Sequence, residues 1–278
     1  GCRTRSRPRT LVGMTQLVGA HVGQVDPVGY AQEVGANFAQ IFLGDPQSWS
    51  APTVDYPGGA EGLREAAKQA GVSLVVHAPY ALNVASLNNR IRIPSRKLLA
   101  KVMELAGEID AVGVVVHGGH VRAEDDPEKG FDNWRKAIEQ TPKPVPMLIE
   151  NTAGGNHSMA RGTEKIARLW EAVQQAEGHE QVGFCLDTAH AFAGGEELAG
   201  LAEKIRAITG RIDLVHLNNS LGAFNSGQDR HAGIHDDAGQ IPPEDLGALV
   251  AQAQAPVIVE TPAAGHADEI TWVREQIG

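Results

Sequence analysis

The chain has 278 residues, 42% of them hydrophobic and 21% charged, with 24 basic against 34 acidic side chains for a net charge of −10. That composition can bury a core and excludes an intrinsically disordered chain, and no apolar run reaches the roughly 18 residues that a membrane helix needs. A surface that attracts phosphate everywhere is excluded too, although bound cations can reverse the sign of one local region.

Residues 1–13 carry Arg3, Arg5, Arg7 and Arg9 and no apolar stretch long enough for a secretion signal. They are expected to be a disordered extension, with residues 14–278 forming the folded domain; without the four arginines the net charge moves from −10 to −14. Cys2 and Cys185 stand far apart and offer no disulfide framework, which points to a reducing compartment, the cytoplasm. Short apolar runs then recur at residues 17–22, 38–43, 73–78, 113–119, 146–152, 182–190, 212–219 and 256–262. They are nearly continuous rather than alternating, as for strands covered on both faces.

Helical signals fill the gaps. Asp26 and Pro27 read as an N-cap followed by proline at the first helical position, with Gly35 as the stop. Pro94 and Ser95 precede a broad apolar stripe from Leu98 to Ala106, suited to covering a sheet. Residues 163–175, 196–208, 243–253 and 268–277 read as helices in the same way. A repeated strand-then-helix unit without a break in composition predicts one α/β domain, a single (β/α)8 TIM barrel. An open doubly wound sheet would need a G-x-G-x-x-G turn after the first strand, and VGAHVGQVDP lacks it.

The informative residues end the apolar runs: His77, His117, Glu150, Asp187, His216 and Glu260. In a parallel barrel all strand C-termini open on one mouth, so these groups would converge without being neighbours in sequence. His190 follows Asp187 by three residues, and Asp229 and His231 share one side of an extended segment in the loop after the seventh run. Five histidines and four carboxylates exceed what one ion takes. Left unpaired they would repel or desolvate one another, and divalent cations resolve that. Two-metal sites about 3.5 to 4 Å apart serve in-line attack on phosphorus, a shared carboxylate is the natural bridge, and Glu150 is central in strand order. Histidine-rich ligation favours zinc over magnesium, so metal-dependent hydrolysis of a phosphoester is expected. His21 is read as an outer hydrogen-bond partner of a ligand, His120 as a loop residue, and His157, His179, His235 and His266 as solvated surface. Gly118-Gly119 and Gly154-Gly155 fit either close approach of a substrate phosphate or simple turn chemistry.

HAPYALN, VHGGH, IENTAGG, LDTAHAFAGG, VHLNNS and the DRH triplet resemble the endonuclease IV family of apurinic/apyrimidinic endonucleases, within the xylose isomerase-like TIM barrels. The resemblance runs from about Val18 to the C-terminus. It implies three zinc ions, with manganese able to substitute: the first held by His77, His117 and Glu150, the second by Glu150, Asp187, His216 and Glu260, the third by His190, Asp229 and His231. Glu150 and Glu260 would be the catalytic carboxylates. The implied reaction cleaves the phosphodiester 5′ to an abasic site in double-stranded DNA, leaving a 3′-hydroxyl and a 5′-deoxyribose phosphate, with clean-up of blocked 3′ ends. A nucleotide without its base is cheap to flip out of the duplex. Tyr80 matches a residue that inserts into DNA near the lesion, and Arg90, Arg92 and Arg230 are candidate phosphate contacts. A monomer with no membrane association is expected.

Two features depart from the family pattern. Gln47 falls where the family can carry a gap-filling arginine, and the loop AGIHDDAGQI after DRH is longer and more acidic, with Asp236 and Asp237 bordering the third site. Rival readings are a sugar isomerase or epimerase, which has no need of the His190, Asp229 and His231 trio, and a lesion-binding protein with structural zinc, for which the chain has no cysteine pair to offer.

Overall fold

In the computed structural model, which describes residues 17–155 and 157–278, eight parallel strands close into a barrel. The expected extension over residues 1–13 lies outside the described residues. In chain order the strands are β1 (Val18–His21), β2 (Phe38–Ile41), β3 (Ser73–His77), β4 (Val114–His117), β5 (Met147–Glu150), β6 (Val182–Asp187), β7 (Leu214–His216), β8 (Asn219–Ser220), β9 (His231–Ala232) and β10 (Val257–Val259). Strands β1 to β7 follow one another around the barrel, and β10 closes it between β7 and β1. The short pair β8 and β9 forms an antiparallel ribbon on the chain between β7 and β10.

Side chains alternate between the two faces of a strand. Phe38, Val75, Val115, Leu148, Cys185, Leu214 and Ile258 fill the barrel interior, with Leu17 and Val112 packed against them. Their neighbours one step along, including Leu74, Val76, Val114, Val116, Ile149, Phe184, Val215 and Val259, belong to the layer beneath the helices. Both faces are therefore apolar, which is why the strands read as unbroken runs. The residue two places after each interior side chain is again interior but one layer nearer the C-terminal mouth. There the side chains are Gln40, His77, His117, Glu150, Asp187, His216 and Glu260.

The helices are α1 (Pro27–Glu33), α2 (Gly59–Ala70), α3 (Asn89–Glu108), α4 (Pro127–Gln140), α5 (Gly162–Gln175), α6 (Thr188–Ala193), α7 (Leu201–Thr209), α8 (Pro243–Ala253) and α9 (His266–Ile277). Asp26 caps α1 as expected, its side chain accepting from the Gly29 amide. Three expectations are corrected. Helix α3 does not begin after Pro94: Asn88 caps it by accepting from the Arg90 amide, and Pro94 lies inside it, where it removes one backbone donor. The run at 182–190 is not all strand, because the Asp187 carboxylate accepts from the His190 amide and starts α6. The helix expected from 196 begins instead at Leu201, after Gly200 in a left-handed conformation. Glu196 is occupied elsewhere, accepting from the amide and hydroxyl of Thr163.

His266 is also corrected, from solvated surface to core, being 2% exposed. Its Nε2 donates to the Thr261 carbonyl at 2.8 Å, which leaves Nδ1 to accept from the Tyr30 hydroxyl at 2.7 Å. Beside it the buried Glu269 accepts from the Thr261 hydroxyl and from the Ile234 amide, tying α9 to the segment that follows β9. Glu269→Ala strands two buried donors at about 1–3 kcal/mol each. Urea unfolding of this variant is expected to show a loss of about 3 kcal/mol, and a loss below about 0.5 kcal/mol would contradict this account of the loop anchor.

Candidate metal centre

The strand-end side chains meet at the mouth around Glu150, which is fully buried. Its Oε1 lies 3.2 Å from His77 Nε2 and 3.1 Å from His117 Nε2, and its Oε2 lies 3.1 Å from His216 Nδ1 and 3.2 Å from His190 Nδ1. His216 Nδ1 is also 3.1 Å from Glu260 Oε1. Asp229 Oδ1 stands 2.9 Å from His190 Nε2 and 3.3 Å from His231 Nε2. Among the described residues, three groupings of histidines and carboxylates have donor atoms all within 4.8 Å of one another: His77, His117 and Glu150; Glu150, Asp187, His216 and Glu260; and Asp187, His190 and His231. The third brings in Asp187, with Asp229 touching both of its histidines.

Two tests bear on whether these residues suit cations. His190 Nε2 and His231 Nε2 are buried and make no hydrogen bond, although Asp229 is at ion-pair distance from both. Buried polar atoms without partners are rare, and imidazole and carboxylate donors turned to a common point without hydrogen-bond geometry fit a shared ion. The other histidine nitrogens are held from behind, His77 Nδ1 donating to the Ala78 carbonyl and His190 Nδ1 to the Asn151 carbonyl, an arrangement typical of metal-binding imidazoles. The nitrogen and carboxylate donor set suits zinc. Cys185 also lies within reach of Glu150 and His216, but burial pushes its thiol up to about 12, which disfavours the thiolate a metal needs.

The electrostatics of the metal-free cluster follow from crowding. Burial opposes charge on Glu150, yet His216 and His117 outweigh it and hold the carboxyl well below its ordinary value. Burial likewise opposes the charged forms of His190 and His216, but Asp187 for the first and Glu260 and Glu150 for the second lift both well above 6.5. His231, also desolvated, is raised to about 9 by Asp187 and Asp229. Asp187 is raised to about 6 by burial, against the pull of His190 and His231. His21 is lowered to about 4 by burial and stays neutral. It bonds to Gln40 rather than to any of the nine groups, so its expected role as a direct partner of a ligand is corrected.

Sequence reasoning missed two carboxamides. Gln40, buried, ends the interior face of β2 as His77 ends that of β3, and its position two residues after Phe38 was the available signal. Asn218 is buried two residues after His216, its Nδ2 reaching Asp187 Oδ2 and Glu260 Oε1 and its Oδ1 accepting from the Glu260 amide.

Tyr80 is half exposed at the mouth, its ring 5.3 Å from that of His77 and 5.6 Å from that of His117. Its amide donates to the Pro46 carbonyl, which ties its loop to the one carrying Gln47. Partial burial and the carboxylates Glu260 and Glu150 push its hydroxyl up to about 12, so it stays protonated. Gln47, Arg90 and Arg230 are exposed, whereas Arg92 is engaged with the Ser86 carbonyl and Asn89. Packing accounts for the first glycine pair: a Cβ on Gly118 would meet Ala160, and Gly119 has φ +72° with Asn83 close by. Among the described residues the exposed large apolar side chains are Val25, Trp49, Tyr80, Ile93 and Phe224. Ile93 lies in the first turns of α3 and the others on segments that follow the C-terminal ends of barrel strands; among the described residues no helix is long and apolar enough to cross a membrane.

Comparison with known proteins locates this arrangement. The xylose isomerase-like TIM barrel family matches residues 28–277. A probable endonuclease 4 from Mycobacterium ulcerans is 49% identical, covering 94% of this chain and 99% of its own. The crystal structure of endonuclease IV from Thermus thermophilus superposes with a TM-score of 0.77 at 27% identity, over 94% of this chain and 99% of that one. A D-tagatose 3-epimerase-like protein shares the fold alone, with a TM-score of 0.71 at 22% identity over 94% and 100% of the two chains.

Proposed function

Because the chain belongs to the endonuclease IV family of xylose isomerase-like TIM barrels, we propose that it is a DNA-repair endonuclease that uses three zinc ions to cut the phosphodiester 5′ to abasic sites. Clean-up of blocked 3′ ends is included in the proposal, with the protein acting as a monomer in the cytoplasm. The observation that carries the reading is the convergence of nine imidazole and carboxylate groups in one cavity, two of whose buried nitrogens have no hydrogen bond.

His77, His117 and Glu150 would hold the first ion, Glu150, Asp187, His216 and Glu260 the second, and His190, Asp229 and His231 the third, with Asp187 near enough to join the last set. Bound divalent ions supply Lewis-acid activation of water and of the scissile phosphate, and charge neutralisation for the leaving oxygen. The chain's own part is to hold that charge in place. Glu150 spans the first two sets with its two oxygens, and Glu260 meets the same His216 Nδ1 that Glu150 does. Tyr80 stands over the first set, placed to stack where a base is missing, an interaction worth about 1–3 kcal/mol per base. Gln47 offers a shorter, uncharged side chain beside it. Arg230 adjoins Asp229 and His231 in sequence and is placed to meet a phosphate. With a body charge this negative, long-range attraction to DNA is weak and the ions must provide most of the local positive field.

The test is a duplex oligonucleotide with one abasic analogue, incubated with protein whose zinc content has been measured. Expected are about three zinc per chain, a nick on the 5′ side with a 3′-hydroxyl end, and loss of cleavage on chelation. Tyr80→Ala should bind the lesion duplex about 5- to 100-fold more weakly with its zinc content unchanged. Epimerisation of ketoses without nicking would overturn the proposal.

A further inference from the structure

We propose that Gln40 is a positioning residue for the second metal set: it fixes His216 as a ligand through Nδ1 and holds Glu260 beside it. This rests on the metal reading above and adds a residue outside the nine groups.

The assignment follows from donors and acceptors. A carboxamide has one acceptor oxygen and one NH2 with two donors, and here the oxygen and both donors each face a partner. Gln40 Nε2 lies 2.9 Å from Glu260 Oε2 and 3.0 Å from His21 Nδ1, and Gln40 Oε1 lies 2.6 Å from His216 Nε2. An ionised carboxylate can only accept, so the NH2 end must face Glu260, and the oxygen must then face His216. His216 Nε2 must therefore carry a proton. The lone pair of that ring is left on Nδ1, the nitrogen 3.1 Å from Glu150 Oε2 and 3.1 Å from Glu260 Oε1. His77 and His190 are oriented through backbone carbonyls and present Nε2. His216 has the opposite tautomer, and a side chain imposes it.

Charge explains why an amide stands there. The cavity already holds Glu150, Asp187, Asp229 and Glu260, and a fifth carboxylate 2.9 Å from Glu260 would repel it. A carboxamide orients both partners and adds no charge. The contact is made across the mouth, because β2 is flanked by β1 and β3 and is not a neighbour of β7.

The test reads the ring directly. In full-length protein carrying 15N-labelled histidine and loaded with 113Cd, the cadmium coupled to His216 is expected to couple through Nδ1. Coupling through Nε2 overturns the proposal. In Gln40→Leu, release of that ion to a chelator is expected to be about 10- to 100-fold faster, with both His216 tautomers present and the ion held by His77 and His117 unaffected. Gln40→Glu keeps an acceptor for His216, so Nδ1 coupling should persist while Glu260 is loosened and release is intermediate. A folded Gln40→Leu that releases the ion at the wild-type rate with unchanged coupling overturns the proposal. Should that variant fail to fold, the wild-type coupling and Gln40→Glu decide. Wild-type protein that takes up neither cadmium nor zinc overturns the metal reading itself, a result distinct from a metal-loaded protein with the wrong nitrogen coupled.

Discussion

Glu150→Gln is expected to lower incision of an abasic duplex at least about a thousandfold, beyond the ten- to hundredfold loss usual when only an outer hydrogen-bond partner is removed. The substitution preserves size and shape, so the effect isolates charge. Among the described residues Glu150 is the one carboxylate whose two oxygens face different histidines, His77 and His117 on one side and His190 and His216 on the other. A carboxamide there turns one acceptor end into a donor aimed either at Nε2 of His77 and His117 or at Nδ1 of His216, nitrogens that must themselves offer lone pairs to an ion. Both metal sets that share Glu150 should weaken together, while Asp187, His190, Asp229 and His231 remain. Elemental analysis is therefore expected to give about one zinc per chain. Full zinc content with activity within tenfold of wild type would show that Glu150 is not shared between ions.

Ion uptake is expected to release about three protons per chain at pH 7, one each from His190, His216 and His231, because metal ligands must be deprotonated. The sign follows from the direction of each shift. All three imidazoles are raised above 6.5 in the folded, metal-free protein, so at pH 7 each carries a proton that an ion must displace. The cumulative binding constant should then rise by about tenfold per proton for each pH unit, roughly a thousandfold in all, until the imidazoles lose their protons in the free protein. For His231 that happens near pH 9. The same groups set the stability of the metal-free protein. Raised histidines stabilise it fully below about 6.5, and that stabilisation is lost as pH climbs through their folded values. Glu150 and Glu260 are depressed, so their contribution is present above about 4.5 and lost as pH falls. The metal-free protein should be most stable in between. Calorimetry in buffers of different ionisation enthalpy counts the protons, and uptake at pH 7 with no proton release would refute the charge state drawn for the cluster.

The barrel was legible in the sequence because both faces of its strands are buried, and spacing left room for a helix after each. Six of the nine polar groups were legible for the same reason, since an ionisable side chain closing an apolar run stands out, and His190, Asp229 and His231 were legible only from their spacing to one another and to Asp187. Gln40 did not stand out, being uncharged and followed by the apolar Ile41, Phe42 and Leu43; only the alternation from Phe38 places it inside. Helix α4 was missed although Asp126 and Pro127 repeat the capping signal of α1. Helix α2 begins at two glycines with positive φ, which hides its start. His266 looked like surface because it falls between small residues and the charged Asp268 and Glu269, with no apolar run beside it, whereas its partners Tyr30 and Thr261 come from other elements. Asp187 was seen as a strand end, but that it also caps α6 could not be read from spacing alone.

The interior side chains and the polar groups above them belong to the same strands, one layer apart. Six of the nine cation-binding groups are thus built into the wall of the barrel, while His190, Asp229 and His231 come from α6 and the segment around β9, among the connections that would meet a substrate. Such a design is modular: the rim can be lengthened, shortened or recharged, as with the acidic stretch at Asp236 and Asp237, and the reactive floor keeps its shape. Selection can retune what is recognised without rebuilding what reacts.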